Sequence, residues 1–195
     1  MPKKFNLKER VDEARKQLEK ETKTLDEIKT ILSECLEEKR ISGEIITTNP
    51  SLTKINYEEI RTKYDTNGAG HLIWIQFTQS GHVAVVGAGK DIGFPKNPSR
   101  GTALILSKIK EEKPEAEWDT NKVILIPIKG LDRESYGLKN IHKHGNNVLK
   151  CRNGVEHCIG EYLIKKGVPV LNLYQHKNYS DKFWGNCEKN NYIRT

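Results

Sequence analysis

The first 42 residues carry apolar side chains at intervals that alternate between four and three residues. These positions are Leu7, Val11, Ala14, Leu18, Leu25, Ile28, Leu32 and Cys35. Such spacing lines one face of a helix and is typical of a coiled-coil seam. Glu21 breaks the pattern, and Thr24 with Glu27 three residues later is a capping-box pair. The sequence therefore predicts a helical arm over residues 1–42, with a second helix beginning near Thr24 and a stop at Ser42-Gly43.

The apolar face of this arm must pack against another protein surface. A second copy of the chain would make the arm a dimerisation element. Docking on the chain's own folded part would make it a helical hairpin of that domain. The pattern leaves both interpretations open, and we expect a homodimer slightly more than a docked hairpin.

Beyond Gly43 the pattern changes to that of β-strands. Residues 72–77 alternate between two faces, and Ser80-Gly81 separates them from the apolar run 83–86, which predicts a β-hairpin. Residues 123–128 are rich in β-branched side chains and predict a buried strand, and residues 44–48 predict a short one. Residues 57–64 fit a short helix, whereas 101–110 fit either a strand or a helix.

The strongest helix pattern outside the arm covers residues 154–166. Its apolar positions are Val155, Cys158, Ile159, Tyr162 and Leu163. Asn153 with Glu156 fits an N-cap and capping box, Lys166 to Pro169 fits a stop, and 168–174 fits a final strand. The predicted class is therefore α+β: a mixed sheet with a β-hairpin and a C-terminal helix-strand unit in residues 43–195, preceded by the helical arm.

The charge balance of the chain favours polyanionic partners. The formal net charge is +7, and 30% of the 195 residues are charged. Clustered Lys and Arg gain free energy by releasing counterions from nucleic acid, so DNA or RNA is the expected partner. No stretch is long and apolar enough for a membrane span, and no secretory leader is expected. Four scattered cysteines predict reduced thiols in the cytoplasm rather than a disulfide framework.

One glycine-rich segment, Val86-Gly-Ala-Gly-Lys90, invites comparison with a phosphate-binding loop. That loop requires a glycine six residues before its lysine and Ser or Thr after it, but Ala84 and Asp91 occupy those places. A glycine turn at a sheet edge is the better interpretation. The basic side chains that follow it, Lys90, Lys96 and Arg100, are still candidates for phosphate contacts.

The densest candidate chemistry lies in residues 140–163, which hold three of the six histidines and two of the four cysteines. His157 lies off the apolar stripe of its helix, so its ring is predicted at the helix rim or in a cleft. Zinc sites commonly contain a Cys-x2-4-Cys pair, and Cys158 fits a core position instead. No such pair occurs among the candidate ligands, which are His142, His144, Cys151, His157, Cys158 and Cys187. The spacing therefore disfavours zinc.

The segment Asn147-Val-Leu-Lys-Cys-Arg152, followed by the helix that carries His157, resembles the end of the HNH, or ββα-metal, nuclease motif over about residues 142–158. The resemblance implies a single divalent cation, Mg²⁺ or Mn²⁺ rather than zinc, held by His144 and His157. It further implies a general base at His142 or His144 and a loop held by Asn147. A neutral imidazole can take a proton from water near pH 7 while the metal neutralises charge on the phosphate.

A second resemblance overlaps the first. Arg152 and His157, with four residues between them, fit the Arg-x4-His pattern of the HEPN ribonucleases. That likeness implies RNA cleavage without metal, in which the guanidinium stabilises negative charge and the imidazole moves a proton. A structural interpretation also remains: Asn153 and Glu156 cap the helix, Arg152 pairs with a carboxylate, and the histidines are surface residues.

Two classes of function follow. The first is an endonuclease that hydrolyses phosphodiester bonds with a cluster of His142, His144, Asn147, Arg152, Glu156 and His157. The second is a non-catalytic basic module that binds nucleic acid or a nucleotide-like ligand. In both, phosphate contacts are predicted at Lys90, Lys96, Arg100, Lys143 and Lys150. Aromatic residues of the tail, such as Tyr179 and Trp184, are candidates for stacking on bases.

Overall fold

The structure, a computed structural model, describes residues 6–48, 55–63, 72–89, 100–128 and 152–172. The helices are α1 Leu7–Leu18, α2 Leu25–Glu38, α3 Tyr57–Lys63, α4 Arg100–Ile109 and α5 Arg152–Lys165, with a 3-10 turn at Pro114–Ala116. The strands are β1 Ile46–Thr48, β2 Leu72–Thr78, β3 Val83–Gly89 and β4 Trp118–Pro127. The α+β class is confirmed, as are the β-hairpin of β2 and β3 and the helix after residue 151.

The four strands form one sheet in the order β1-β4-β2-β3, and every neighbouring pair is antiparallel. In the middle of the sheet, Ile75 of β2 pairs with Val86 of β3 and with Ile124 of β4. The parallel component expected of a mixed sheet is a bridge between Val83 and Val170. The structure describes residues 168–172 of the strand that was predicted over 168–174. Within these residues, the β-structure consists of this bridge at Val170.

Helices cover both faces of the sheet, which explains why β2 is buried along its whole length. On one face, Ile73, Ile75 and Phe77 share a core cluster with α2 and α5. On the other, Trp74 shares a second cluster with α1 and α4. The side chains of β2 alternate between these clusters because successive residues of a strand point to opposite faces.

The two helices of the N-terminal arm lie on opposite faces of the sheet. Val11 and Ala14 of α1 pack in the cluster that contains α4, whereas Ile28 and Leu32 of α2 pack in the cluster that contains α5. The stripe that resembled one continuous seam therefore serves two separate cores of the same chain. This packing covers the apolar positions on which the homodimer prediction was based.

Local signals fix where α2 begins and ends. The predicted capping box is confirmed: Glu27 N–H donates to Thr24 Oγ1 at 3.2 Å, and Thr24 N–H donates to the Glu27 carboxylate at 2.7 Å. The helix ends before the predicted Ser42-Gly43 stop, because Arg40 adopts a left-handed conformation with φ of 52°. Ile41 N–H then donates to the carbonyl of Leu36 at 2.8 Å, which closes a Schellman motif.

Two segments that the sequence left less defined are helical. The short helix predicted over 57–64 is α3, and the ambiguous segment 101–110 is α4. In α4 the buried side chains Ile105, Leu106 and Ile109 recur at helical spacing and face the sheet, while Leu104 points to solvent. In the described ranges, none of the helices is long and apolar enough to cross a membrane.

Candidate functional site

Helix α5 carries the described part of the candidate site and lies deep in the molecule. It packs against α2 on one side and against β2 and β3 on another. Val155, Cys158, Ile159 and Leu163 belong to the core cluster between these elements. The helix ends as predicted: Gly167 is left-handed, with φ of 78°, and Val168 N–H donates to the carbonyl of Leu163 at 3.0 Å. The core contacts and this C-terminal cap together fix the position of α5.

Two ionisable side chains are buried in the first turns of α5. Glu156 is 7% exposed and His157 is 5% exposed. Burying a carboxyl or an imidazole costs free energy unless polar groups compensate for the lost water. Adjacent buried acid and imidazole groups are therefore an unusual feature that apolar packing does not account for.

The ring of His157 is neutral at physiological pH. Burial lowers its pKa to about 4, because the charged imidazolium loses its hydration in the interior. A neutral imidazole offers a ring nitrogen lone pair to a proton or to a metal ion. A general base works best when its pKa is near the operating pH, so the low pKa suits His157 better as a metal ligand than as a base.

The burial of His157 contradicts a ring at the rim of the helix and contradicts a surface histidine. It does not contradict the other predicted position of the ring, in a cleft. A single apolar stripe predicts one buried face, but residues Val155 to Gly160 are buried all round the helix. The start of α5 also differs from the prediction, since it begins at Arg152 and places Asn153 within its first turn rather than before it.

Most of the predicted site lies outside the described residues. This is true of His142, His144, Asn147, Lys90, Lys96, Lys143 and Lys150. Arg152 and Arg100 are the first residues of α5 and α4, and the structure describes their backbone but not their side chains. Of the predicted catalytic cluster, the described part of the chain thus places Glu156 and His157 next to each other on one helix.

Cys158 behaves as the small hydrophobic residue that its position in the stripe predicted. It is buried, free, and a member of the core cluster that also contains Cys35 of α2. Within the residues that the structure describes, there is no group of three or more His, Cys, Asp and Glu side chains arranged to hold a metal ion. A metal held at His157 would therefore need ligands from residues beyond the described ranges.

The glycines at 87 and 89 extend a strand rather than forming the predicted turn, and Gly87 serves packing. Gly87 and Gly89 lie within β3, and the ring of Trp74 on the neighbouring strand lies across Gly87. A Cβ atom at Gly87 would meet the six-membered part of that indole at a van der Waals overlap. The absence of a side chain at Gly87 is thus explained by the close approach of Trp74.

A second buried histidine, His82, was not singled out from the sequence. Its Nδ1 lies 2.9 Å from Ser80 Oγ, and Ser80 Oγ lies 2.8 Å from Thr78 Oγ1. Burial lowers the pKa of His82, and its hydrogen bond to the Lys20 carbonyl opposes that shift.

The backbone N–H groups of residues 79–82 are all engaged in hydrogen bonds, so none is available to stabilise an oxyanion. The network therefore holds the hairpin turn together. The signal in the sequence was the pattern of polar residues at 78, 80 and 82 within a turn.

Comparison with known proteins gives no further assignment. No protein-family model matches the chain, and no curated protein or solved structure matches it significantly.

Proposed function

We propose that the protein acts on nucleic acid as an endonuclease that hydrolyses phosphodiester bonds, with its site at the N-terminal end of α5. The observation that carries the proposal is the adjacent burial of Glu156 and His157 in the first turns of that helix. The N-terminal end of a helix favours bound anions, because its backbone N–H groups and its dipole are positive there. The net charge of +7 favours a polyanionic substrate as well.

In this proposal His157 holds a divalent cation together with His144. The neutral imidazole of His157 fits that role, since metal binding requires a deprotonated ring nitrogen. When bound, Mg²⁺ or Mn²⁺ would supply charge neutralisation on the scissile phosphate. His142 accepts the proton of the attacking water, Asn147 holds the loop, and the Arg152 guanidinium binds a phosphate oxygen.

In this proposal the carboxyl group of Glu156 orients a neighbouring imidazole or guanidinium. A buried carboxylate beside a histidine fixes which ring nitrogen is free to bind. Lys90, Lys96, Arg100, Lys143 and Lys150 are proposed to position the nucleic acid backbone through phosphate contacts.

A cleavage assay with and without metal tests the proposal. Supercoiled plasmid and total RNA are incubated with the protein in Mg²⁺, in Mn²⁺ and in chelator. Cleavage that chelator abolishes is the expected result. Cleavage that survives chelator would replace the metal site by the metal-free Arg152 and His157 mechanism. Absence of cleavage on both substrates under every condition would overturn the endonuclease.

The site assignment is tested by His157→Gln, with His82→Gln as the matched control. Both histidines are about 5% exposed and both have a lowered pKa, so the two variants remove equally buried imidazoles. Glutamine keeps polar atoms in the cavity and limits the loss of stability compared with alanine. We expect His157→Gln to reduce cleavage at least about 100-fold and His82→Gln to leave it within about twofold. Assays well below both Tm values keep folding effects apart from catalytic ones.

A non-catalytic module that binds nucleic acid is the second candidate. The net charge of +7 favours it, because phosphate contacts by basic side chains require no catalytic group. Binding to RNA or DNA that weakens steeply with salt, without cleavage, would support the module over the enzyme. We also propose a reducing, cytoplasmic location, which suits the free thiols of Cys35 and Cys158.

A further inference from the structure

Two thiols from distant parts of the chain meet in the core between α2 and α5. Cys35 of α2 is fully buried, Cys158 of α5 is 3% exposed, and both are free. They belong to the same apolar cluster, and their side chains are hydrogen-bonded to each other. Helices α2 and α5 pack directly against one another along this contact. A core needs small apolar residues here, but it does not need two facing sulfur atoms.

We propose that Cys35 and Cys158 form a reversible intramolecular disulfide when the protein meets a peroxide, and that this bond fastens α2 to α5. The inference does not depend on the proposed nuclease. It concerns a pair of residues that takes no part in the candidate site, although Cys158 is next to His157 in the sequence.

The reaction consumes one hydrogen peroxide for each disulfide. One sulfur attacks a peroxide oxygen, the O–O bond breaks, and the thiol proton leaves with the departing oxygen as water. The resulting sulfenic acid is then attacked by the second sulfur. Its S–O bond breaks, the S–S bond forms, and the second thiol proton leaves in a second water. Two sulfur atoms are oxidised and the peroxide is reduced to two water molecules.

The surroundings of the pair set the rate of this reaction. The hydrogen bond that the Cys35 S–H donates to Cys158 and burial both raise the pKa of the Cys35 thiol, so little reactive thiolate is present while the core is closed. The nearby ammonium group of Lys39 acts in the opposite direction. We therefore expect slow oxidation, by openings of the end of α2, rather than the fast reaction of an exposed sensor thiol.

The disulfide would shorten the contact between the two helices and constrain the unfolded chain. A disulfide requires sulfur atoms about 2.05 Å apart, which is closer than a hydrogen bond between thiols, so α2 and α5 must approach slightly. The bond would close a loop of about 120 residues, and cross-links across long loops remove the most entropy from the unfolded chain. A hydrogen bond already joins α2 and α5 at the rim of their interface, where Tyr162 Oη donates to the Glu38 carboxylate at 2.9 Å.

The experiment uses the full chain in a Cys151→Ser/Cys187→Ser background, which leaves Cys35 and Cys158 as its two cysteines. The protein is treated with hydrogen peroxide for hours, quenched, unfolded and alkylated, and its intact mass is measured. We expect a monomer lighter by about 2 Da that incorporates no alkylating agent, and recovery of both thiols with a dithiol reductant. The oxidised form should melt about 5–10 °C above the reduced form.

The matched control is Cys35→Ser in the same background, which keeps Cys158 but removes its partner. It should show neither the loss of 2 Da nor the rise in Tm. Two alkylated cysteines after oxidation, or a disulfide-linked dimer, would overturn the intramolecular bond. A closed disulfide that leaves the Tm unchanged or lower would overturn the fastening of α2 to α5. None of these measurements involves nucleic acid, so failure here is distinct from failure of the endonuclease proposal.

Discussion

The Nε2 atom of His82 lies 3.1 Å from the carbonyl oxygen of Lys20. This contact joins the turn between β2 and β3 to the turn between α1 and α2, two segments 62 residues apart in the sequence. Because α1 and α2 lie on opposite faces of the sheet, the turn between them has to cross the end of the sheet. His82 holds that crossing in place, and Gly81 beside it adopts a positive φ, with Thr22 where a Cβ atom at residue 81 would make contact.

The lowered pKa of His82 makes the free energy of unfolding fall as the pH falls. Burial lowers that pKa below its value of about 6.5 in the unfolded chain. Below pH 6.5 the unfolded state therefore binds a proton that the folded state resists, and stability falls as the pH falls. The groups of neighbouring elements that act on the ring are Lys113, which lowers the pKa, and Glu115, which raises it.

Urea unfolding of the wild type and His82→Gln between pH 7.5 and 5.0 measures the effect. We expect the free energy of unfolding of the wild type to fall more steeply with decreasing pH than that of the variant. The contributions of other titrating groups, including His157, cancel when the free energy of unfolding of the variant is subtracted from that of the wild type at each pH. Parallel curves would show that His82 does not titrate differently in the folded state.

The capping box of α2 gives a prediction about stability. Thr24→Ala removes the hydroxyl that accepts from Glu27 N–H, and we expect a loss of about 1 kcal/mol. The backbone N–H and the hydroxyl of Thr24 donate to the Glu27 carboxylate and lower its pKa, so the carboxylate stays charged near the positive end of the helix. Thr30→Ala is the control, because its hydroxyl bonds a carbonyl within the same helix and caps nothing. Equal losses in the two variants, measured by urea unfolding, would contradict the role of the cap.

Arg40 offers a stabilising substitution. A left-handed conformation costs an L-residue with a side chain roughly 1 kcal/mol, a cost that glycine does not have. Arg40→Gly is therefore expected to raise the free energy of unfolding by about 0.5–1 kcal/mol. The neighbouring Lys39→Gly is the matched control and should lower stability, because Lys39 has a negative φ of −89°. If Arg40→Gly also lowers stability, the left-handed end of α2 is not a source of strain.

The sequence predicted local structure well where chemistry within a few residues decides it. The capping box at Thr24, the left-handed end at Gly167, the hairpin and the strand over 123–127 depend on near neighbours and are confirmed. The segment that became α4 was ambiguous because its apolar run fits either element until its packing partner is known.

Relationships across the chain could not be predicted in this way. A heptad-like stripe shows that one face of a helix is buried, but it does not identify the surface that covers this face. The sequence therefore did not predict that the two helices of the arm pack on opposite faces of the sheet. The meeting of Cys35 with Cys158 and of His82 with Lys20 depends on tertiary packing alone. The burial of residues 155–160 all round α5 was not predicted, because the helix is covered on more sides than a single amphipathic stripe implies.

The last prediction concerns the arm itself. Deleting residues 1–42 removes Val11, Ala14, Ile28 and Leu32, all at most 6% exposed, from the two cores. Truncating one such side chain typically costs about 2–5 kcal/mol, and a whole domain is stabilised by about 5–15 kcal/mol. The truncated chain should therefore fail to fold, as judged by loss of the cooperative thermal transition. A free-standing dimerisation arm would instead leave a folded domain of halved oligomeric mass, and light scattering of the full and truncated chains distinguishes these outcomes. A cooperative transition in the truncated chain would show that residues 43–195 form an independent domain after all.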